Sequence, residues 1–331
     1  MQYFSLLDSY NRKIHSLRLS VTDRCNLRCK YCFTEEPVFM PEDTLLSYNE
    51  LLTLLHICSE LSIHKVRITG GEPFVRHGLL SFLRTIKEEL PHIDLRITTN
   101  GILLERHLQE LYDIGIRHLN ISLDSFNPTT FKQITKRDLF STVYRAICKS
   151  IEYGFIVKIN VVAMKGVNDS ELDDFIDFAK VNPVCIRFIE YMPIGFTTAL
   201  DASILWSTDD ILSEIQKRVT LEPQISTNDS GPARVYTIQG GKGSIGVISP
   251  LSNHFCDTCD RLRITADGTV KTCLYSTEDI SLRDALHSSQ PKEHIQHILR
   301  NAIATKPRGI ELFEQRNGNV LAGRTMNAIG G

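Results

Sequence analysis

The sequence has 331 residues, of which 42% are hydrophobic and 23% are charged, and its formal net charge is −2. This length exceeds what one minimal core needs, and it predicts either one large domain with an extension or two domains. The near-neutral charge argues against a nucleic-acid-binding protein, and no apolar run is long enough to cross a bilayer. Because the start of the chain does not resemble a secretory signal, we expect a cytoplasmic protein without a membrane partner. In that compartment the nine cysteines indicate metal binding or catalysis rather than disulfides.

Strand and helix patterns alternate from about residue 17 to about residue 190. The predicted strands are Leu17–Thr22, Lys65–Thr69, Asp94–Thr99, His118–Leu123, Phe155–Val162 and Val184–Glu190. The predicted helices are Asn49–Leu61, Leu79–Leu90, Leu103–Ile114, Leu139–Tyr153 and Glu171–Val181. Such alternation indicates parallel strands joined by crossover helices.

Each of these strands has one apolar and one polar face. In the first strand, for example, apolar residues alternate with Arg18, Ser20 and Thr22. Because polar side chains in a dry interior need partners, this pattern favours a wet, cationic cavity inside an open or partial barrel. The side chains expected to line the cavity are Arg18, Arg67, Lys158 and Arg187. The alternative is an exposed sheet face with ordinary surface charges. The fold class that we predict is α/β, a partial (β/α)6 barrel of the TIM type.

The pattern changes after Glu190, where Gly, Pro, Ser and Asn become frequent. The elements predicted there are a helix at Thr208–Arg218, strands at Val235–Ile238 and Ser244–Ser249, a hairpin of Arg261–Thr265 and Thr269–Leu274, and helices at Leu282–His287 and Lys292–Ala304. We therefore divide the chain into a barrel core, residues 1–192, and a C-terminal α+β extension, residues 193–331.

A first cysteine triad, C-x3-C-x2-C, follows the first strand. Its members are Cys25, Cys29 and Cys32. Three thiolates can hold one corner of a four-iron cluster and leave one iron without a protein ligand. Zinc is the alternative, but a structural zinc site needs a fourth ligand from elsewhere.

With Tyr31 before its last cysteine, this triad resembles the signature of the radical S-adenosylmethionine superfamily, and the resemblance assigns Tyr31 to the cofactor. The resemblance implies a [4Fe-4S] cluster whose open iron binds S-adenosylmethionine, and reductive cleavage to a 5′-deoxyadenosyl radical. The stretch Thr69–Pro73 resembles the family motif that holds the methionine amino group, which assigns Gly71 to the cofactor. Ser122 resembles a cofactor contact and Thr98 fits a deeper substrate contact, although either could simply be a satisfied polar residue at a strand end.

A second triad, C-x2-C-x13-C, lies in the extension and consists of Cys256, Cys259 and Cys273. The hairpin can return Cys273 to the other two cysteines. A zinc ribbon is the alternative, but it normally brings a second CxxC close by, which the C-terminal extension lacks. A second cluster facing the cavity is therefore predicted.

The run Cys-x2-Cys-x-Arg-x-Arg narrows the resemblance to the GTP 3′,8-cyclase family, as do LRLSVTDRCN, VRITGGEP, TTNG, VKINVV, RFIEYMP and the final diglycine. The resemblance implies a second [4Fe-4S] cluster that binds the guanine base. It assigns Arg18, Arg67, Thr98, Lys158, Arg261, Leu262 and Arg263 to GTP, Met192 to S-adenosylmethionine, and catalytic roles to Arg261, Arg263, Gly330 and Gly331. The implied reaction converts GTP to 3′,8-cyclo-7,8-dihydro-GTP, the first step of molybdenum cofactor synthesis.

The same resemblance implies a homodimer, an electron donor of the flavodoxin or ferredoxin type, and transfer of the product to cyclic pyranopterin monophosphate synthase. Two alternatives remain open at this point. One is another radical enzyme with an auxiliary cluster, such as a peptide-modifying maturase. The other is a zinc-stabilised nucleic-acid-binding module without enzymatic activity. Cys58, Cys148 and Cys185 belong to neither triad and are predicted to be packing residues.

Overall fold

A computed structural model describes residues 5–33, 36–194, 202–225, 231–315 and 324–330. The strands are β1 (Leu6–Leu7), β2 (Lys13–Ile14), β3 (Ser16–Ser20), β4 (Lys65–Thr69), β5 (Asp94–Thr99), β6 (His118–Ser122), β7 (Ile156–Ala163), β8 (Cys185–Glu190), β9 (Leu221–Pro223), β10 (Arg234–Ile238), β11 (Ser244–Ile248), β12 (Arg261–Ile264), β13 (Thr269–Lys271) and β14 (Ile280–Ser281). The helices are α1 (Tyr48–Glu60), α2 (Leu79–Glu89), α3 (Leu108–Ile114), α4 (Pro128–Thr135), α5 (Phe140–Glu152), α6 (Leu172–Val181), α7 (Thr208–Gln216), α8 (Arg283–Leu286), α9 (Pro291–Ala304), α10 (Gly309–Gln315) and α11 (Met326–Ile329).

Strands β3 to β8 form the predicted parallel barrel strands, and they pair in sequence order. Their apolar faces pack against the crossover helices in one continuous hydrophobic core. Their other faces carry polar and charged residues. The partial barrel and its C-terminal extension are thus confirmed.

The extension continues the barrel sheet at both of its edges. Strand β12 pairs in parallel with β3, and β11 pairs in parallel with β8. The described residues form a sheet of twelve strands in the order β14-β13-β12-β3-β4-β5-β6-β7-β8-β11-β10-β9. The pairing of β12 with β3 places the hairpin that follows the second triad directly beside the first barrel strand.

Several elements differ from the sequence prediction. Helix α3 begins at Leu108, because residues Glu105–His107 form a 3-10 turn. Helix α4 was not predicted, although the Asn127 side chain accepts hydrogen bonds from the backbone N–H groups of residues 129 and 130 at its start. Strand β13 ends at Lys271, so Cys273 follows the hairpin rather than lying on it. Strands β1, β2, β9 and β14 and helices α10 and α11 were also missed.

No helix among the described residues combines the length and apolar character that crossing a bilayer requires.

Candidate active site

A cavity of about 250 Å³ runs through the open barrel between the two ends of its strands. Its lining includes ten side chains that were predicted to bind ligands: Arg18, Tyr31, Thr98, Ser122, Met192, Cys256, Cys259, Arg261, Arg263 and Cys273. Asp124, Asn160, Lys306 and Arg12 also line it, although none of these four was predicted from the sequence to bind a ligand. One connected site therefore unites residues from the barrel and from the extension.

The two cysteine triads lie at opposite ends of the strands. The first triad follows the carboxyl end of β3. Cys256 and Cys259 precede the amino end of β12, which runs parallel to β3, and Cys273 follows β13, which runs antiparallel to β12. The strands between the triads are about five residues long, which corresponds to a separation of roughly 15 Å.

The loop that carries the first triad is held by hydrogen bonds from two directions. The N–H groups of Gly71 and Glu72 donate to the carbonyls of Thr22 and Arg24, at 2.8 Å each. On the other side, the N–H groups of Arg28 and Lys30 donate to carbonyls at the end of α4, at 3.0 Å each. The unpredicted helix α4 thus helps to position the cysteines.

Gly71 lies so close to this loop that no side chain would fit. A Cβ atom built on Gly71 would lie 2.6 Å from the carbonyl oxygen of Asp23 and closer still to that of Arg24. The neighbouring Glu72 is fully buried and accepts hydrogen bonds from Thr99 Oγ1 at 2.8 Å and from the Asn100 N–H at 2.6 Å. Burial raises the pKa of Glu72 to about 7. In this structure the motif fastens the loop after β5 to the loop after β3.

Tyr31 and Asp124 form a buried polar contact next to the first triad. The Tyr31 hydroxyl donates to Asp124 Oδ2 at 2.7 Å, and the Val162 N–H donates to Asp124 Oδ1 at 2.9 Å. Burial raises the pKa of Asp124 to about 6 and that of Tyr31 well above its ordinary value. This contact fixes the Tyr31 ring at the cavity wall, where it was predicted to face the cofactor.

Cations occupy the middle of the barrel wall. Residue pairing aligns Arg263 with Arg18 and Arg18 with Arg67 across three adjacent strands. Burial and the charges of Arg263, Arg261 and Arg67 lower the pKa of Arg18 well below its usual range. Burial, followed by neighbouring arginines, also lowers the pKa of Arg67 to about 9 and that of Lys158 to about 7.

Arg67, Lys158 and Arg187 are not among the residues that line the cavity, contrary to the sequence prediction. They lie in the same polar face of the sheet, where their charges interact with one another. Within the described ranges, none of them forms an ion pair with a carboxylate. Arg67 Nη1, Arg187 Nε and Asn160 Oδ1 are buried without a hydrogen-bond partner. Because buried polar groups are normally paired, an anionic ligand would stabilise the two unpaired cationic donors, whereas the Asn160 oxygen would need a hydrogen-bond donor.

Leu262 behaves differently from the arginines on either side of it. Its side chain is fully buried in the hydrophobic core, on the opposite face of β12. A contact between Leu262 and a nucleotide would therefore have to come from its backbone.

The C-terminal segment reaches both the first triad and the cations. Asn327 Nδ2 donates to the Asp23 carbonyl at 2.9 Å, and the Asn327 N–H lies within hydrogen-bonding reach of the Cys32 thiol. Arg263 Nη1 donates to the Gly330 carbonyl. The φ of Gly330 is +83°, which favours glycine, and an added Cβ would lie 2.9 Å from a methyl group of Thr69. The predicted catalytic Gly331 lies outside the described residues.

The two cysteine triads differ in the electrostatics of their thiols. All six cysteines are free and partly exposed, and the thiols within each triad interact electrostatically. Burial raises the pKa of Cys25 to about 11, whereas the charges of Arg261 and Lys306 outweigh burial and lower that of Cys259 to about 6. Among the described side chains, no group of three or more His, Cys, Asp or Glu converges closely enough for a single metal ion.

Comparison with known proteins identifies the family. The Radical SAM superfamily matches residues 19–179, and Molybdenum Cofactor Synthesis C matches residues 184–312. Radical SAM enzymes use a [4Fe-4S] cluster and S-adenosylmethionine.

Curated relatives match nearly the whole chain. A GTP 3′,8-cyclase from Syntrophomonas wolfei is 42% identical over 305 residues, which cover 91% of this chain and 93% of the relative. A second, from Thermodesulfovibrio yellowstonii, is 38% identical over 327 residues, covering 98% and 99%. The structure of Streptococcus suis SuiB bound to S-adenosylmethionine has a TM-score of 0.59 at 14% identity and covers 89% of this chain and 69% of SuiB, a likeness that concerns the fold alone. On these matches, the chain belongs to the GTP 3′,8-cyclase family of radical SAM enzymes.

Proposed function

We propose that this protein converts GTP to 3′,8-cyclo-7,8-dihydro-GTP, the first step of molybdenum cofactor synthesis. The main observation behind the proposal is a row of cations aligned across adjacent strands between the two cysteine triads. In this row Arg263 is buried, and Arg18 and Arg67 are half-buried. A cavity with this arrangement suits a polyanion held between two metal groups. The same row would be costly to bury in a protein without an anionic ligand.

Cys25, Cys29 and Cys32 would hold one [4Fe-4S] cluster, and Cys256, Cys259 and Cys273 a second. When bound with S-adenosylmethionine, the first cluster supplies the electron for the cleavage that generates the 5′-deoxyadenosyl radical. Tyr31, Ser122 and Met192 line the cavity and support a cofactor position near the carboxyl ends of the strands. Gly71 keeps the loop of the first triad in place through its N–H and its lack of a side chain.

The cations would bind and orient the triphosphate. GTP carries about four negative charges, which matches a site built from several aimed arginines and a lysine. Arg18, Arg261 and Arg263 line the cavity, while Arg67 and Lys158 lie in the same polar face and carry lowered pKa values that an anion would restore. Holding the ribose in one orientation is the main requirement when a single C–H bond must react. Thr98 lines the cavity and supports a contact with the nucleotide.

Arg263 is also hydrogen-bonded to the Gly330 carbonyl. This contact supports a role for the C-terminal glycines in closing the site over the substrate. A bulkier residue at position 330 would meet Ser20 and Thr69 at the ends of β3 and β4.

The partners follow from the same proposal. The chemistry needs a low-potential electron donor, for which we propose a flavodoxin or ferredoxin. We also propose a homodimer and transfer of the product to cyclic pyranopterin monophosphate synthase. The nine free cysteines support a reducing compartment such as the cytoplasm.

Anaerobic turnover with GTP deuterated at the ribose 3′ position tests the proposal. The protein would be reconstituted with iron and sulfide and supplied with reductant and S-adenosylmethionine, and the 5′-deoxyadenosine would be analysed by mass spectrometry. Deuterium in 5′-deoxyadenosine would support both the substrate and the abstracted atom. Unlabelled 5′-deoxyadenosine formed equally fast without GTP would contradict the GTP assignment and favour another substrate, such as a peptide.

A further inference from the structure

A buried lysine, Lys306, lies directly behind the second cysteine triad. It follows the end of α9, is only 2% exposed, and lines the same cavity as Cys256, Cys259 and Cys273. Lys306 belongs to none of the motifs described above.

Lys306 joins the two chain segments that carry the triad. Its Nζ donates to the carbonyl of Arg261 at 2.9 Å and to the carbonyl of Thr272. Arg261 lies two residues after Cys259, and Thr272 immediately precedes Cys273. One ammonium group therefore fixes the spacing between the loop before β12 and the segment after β13.

A second buried cation, Arg12, completes the support. Its Nη1 donates to the Cys256 carbonyl at 2.6 Å, and its Nη2 donates to the Lys306 carbonyl at 2.9 Å. Arg12 is neutralised by Asp8, whose Oδ2 lies 2.5 Å from Nε. All three cysteine segments are thus tied to Arg12 or Lys306.

The charge of Lys306 has no such neutralising partner. Across the described ranges, no carboxylate forms an ion pair with it, and its contacts are neutral carbonyls. Burial of an unpaired charge is costly unless a negative group lies nearby. The groups that can supply negative charge there are the cysteine ligands, because the two carbonyls that accept from Lys306 belong to Arg261, two residues after Cys259, and to Thr272, next to Cys273.

We infer that Lys306 is a positioning residue and the fixed counter-charge of the second triad, and that it raises the reduction potential of the cluster held there. The inference rests on the proposed second cluster. Net charge and hydrogen bonding around a cluster are the main determinants of its potential. A fixed positive charge next to two ligands favours the reduced, more negative state.

The test isolates the second cluster in the full-length chain with Cys25, Cys29 and Cys32 replaced by alanine. In that background, Lys306→Met removes the charge at similar side-chain length. We expect the ratio of oxidised to reduced cluster at a fixed potential to rise about tenfold, which corresponds to a fall of about 59 mV in the midpoint potential of a one-electron couple. The potential would be measured by redox titration monitored by electron paramagnetic resonance, with iron content determined in parallel.

Lys271→Met is the matched control. Lys271 is also buried, 1% exposed, and lies in the hairpin whose two ends Lys306 joins, but it is paired with Asp279 and its Nζ donates to the Ser276 carbonyl at 3.1 Å. General damage to the hairpin would affect both variants, whereas the counter-charge role predicts a shift for Lys306→Met alone.

The outcomes separate this inference from the proposed function. Absence of iron at the second triad with Lys306 intact would overturn the proposed cluster and the inference together. A bound cluster with the same potential in parent and Lys306→Met would overturn the inference only. If Lys306→Met fails to bind iron, Lys306→Arg, which keeps the positive charge, is measured instead. Normal iron binding with a nearly unchanged midpoint potential in Lys306→Arg would support the counter-charge role. Loss of iron in Lys306→Arg as well would overturn it.

Discussion

Nucleotide binding should weaken as pH rises, because of Lys158. Burial, followed by the charges of Arg187 and Arg96, lowers the pKa of Lys158 from its ordinary value to about 7. A bound triphosphate favours the protonated amine, so the pKa of Lys158 is higher in the complex than in the free protein. The contribution of Lys158 to the free energy of GTP binding is therefore fully present below the pKa of Lys158 in the free protein, and it is lost as pH rises above that value.

The size of the effect follows from the protonated fraction of the free protein. Near pH 7 about half of the Lys158 side chains are protonated, and near pH 8.5 only about one in thirty. If the complex keeps the amine protonated over this range, affinity for GTP falls about fifteenfold. The measurement should stay below about pH 8.5, because other cations of the site begin to lose their protons at higher pH. The pKa of Arg67 is lowered to about 9 and that of Arg263 to about 10.

The assay is isothermal titration calorimetry of the reconstituted protein with GTP, without reductant and at constant ionic strength. Lys158→Arg is the matched variant, because an arginine stays protonated over the whole range. We expect the variant to bind GTP with a much flatter pH dependence. Equal pH slopes in the native protein and in Lys158→Arg would refute the reasoning, since the slope would then arise from another group.

Two further predictions concern the loop of the first triad and the C-terminal segment. Gly71→Ala should lower the iron content from about eight to about four per chain, because the new Cβ collides with the Arg24 carbonyl; iron analysis after reconstitution measures this. Gly154→Ala is the control for backbone strain alone, because Gly154 has a φ of +82° but no atom of the described residues lies within 4 Å of an added Cβ. It should leave the iron content unchanged. Arg324→Met should release the C-terminal segment that contains Gly330, since Arg324 Nη1 lies 2.9 Å from Asp267 Oδ2. Carboxypeptidase should then shorten the variant faster, while the free energy of unfolding changes by only about 1 kcal/mol. Unchanged digestion would show that other contacts hold the segment.

The barrel could be predicted from the sequence because its strands alternate so regularly. Every second residue of β3 to β8 is apolar and packs against helices, and this period of two is visible without any knowledge of the fold. Helix α4 was missed because it is short and because Asn127 and Pro128, with which it starts, were not weighed as a helix start. The cysteine triads were predictable because metal ligands keep short, recognisable spacings.

The supports of the second triad could not be predicted in the same way. Arg12 contacts Cys256 across 244 positions of sequence and contacts Lys306 across 294. Contacts at such separations depend on how strands pair, which local patterns do not determine. For the same reason the sequence indicated which cations share the polar face, but not that Arg67, Lys158 and Arg187 lie outside the cavity lining.

The geometry of the site depends most on one strand pairing. Because β12 lies parallel to β3 with Arg263 opposite Arg18, the cysteines before β12 fall at the amino end of the barrel and the cysteines after β3 fall at the carboxyl end. A shift of one residue in this pairing would exchange the two faces of β12, burying Arg263 in the core and exposing Leu262 to the cavity. The fully buried Leu262 thus opposes such a shift, since exposure of its side chain would cost about 2 kcal/mol in addition to the burial of an arginine. Leu262 thus contributes to the site by fixing the orientation of Arg261 and Arg263 toward the cavity.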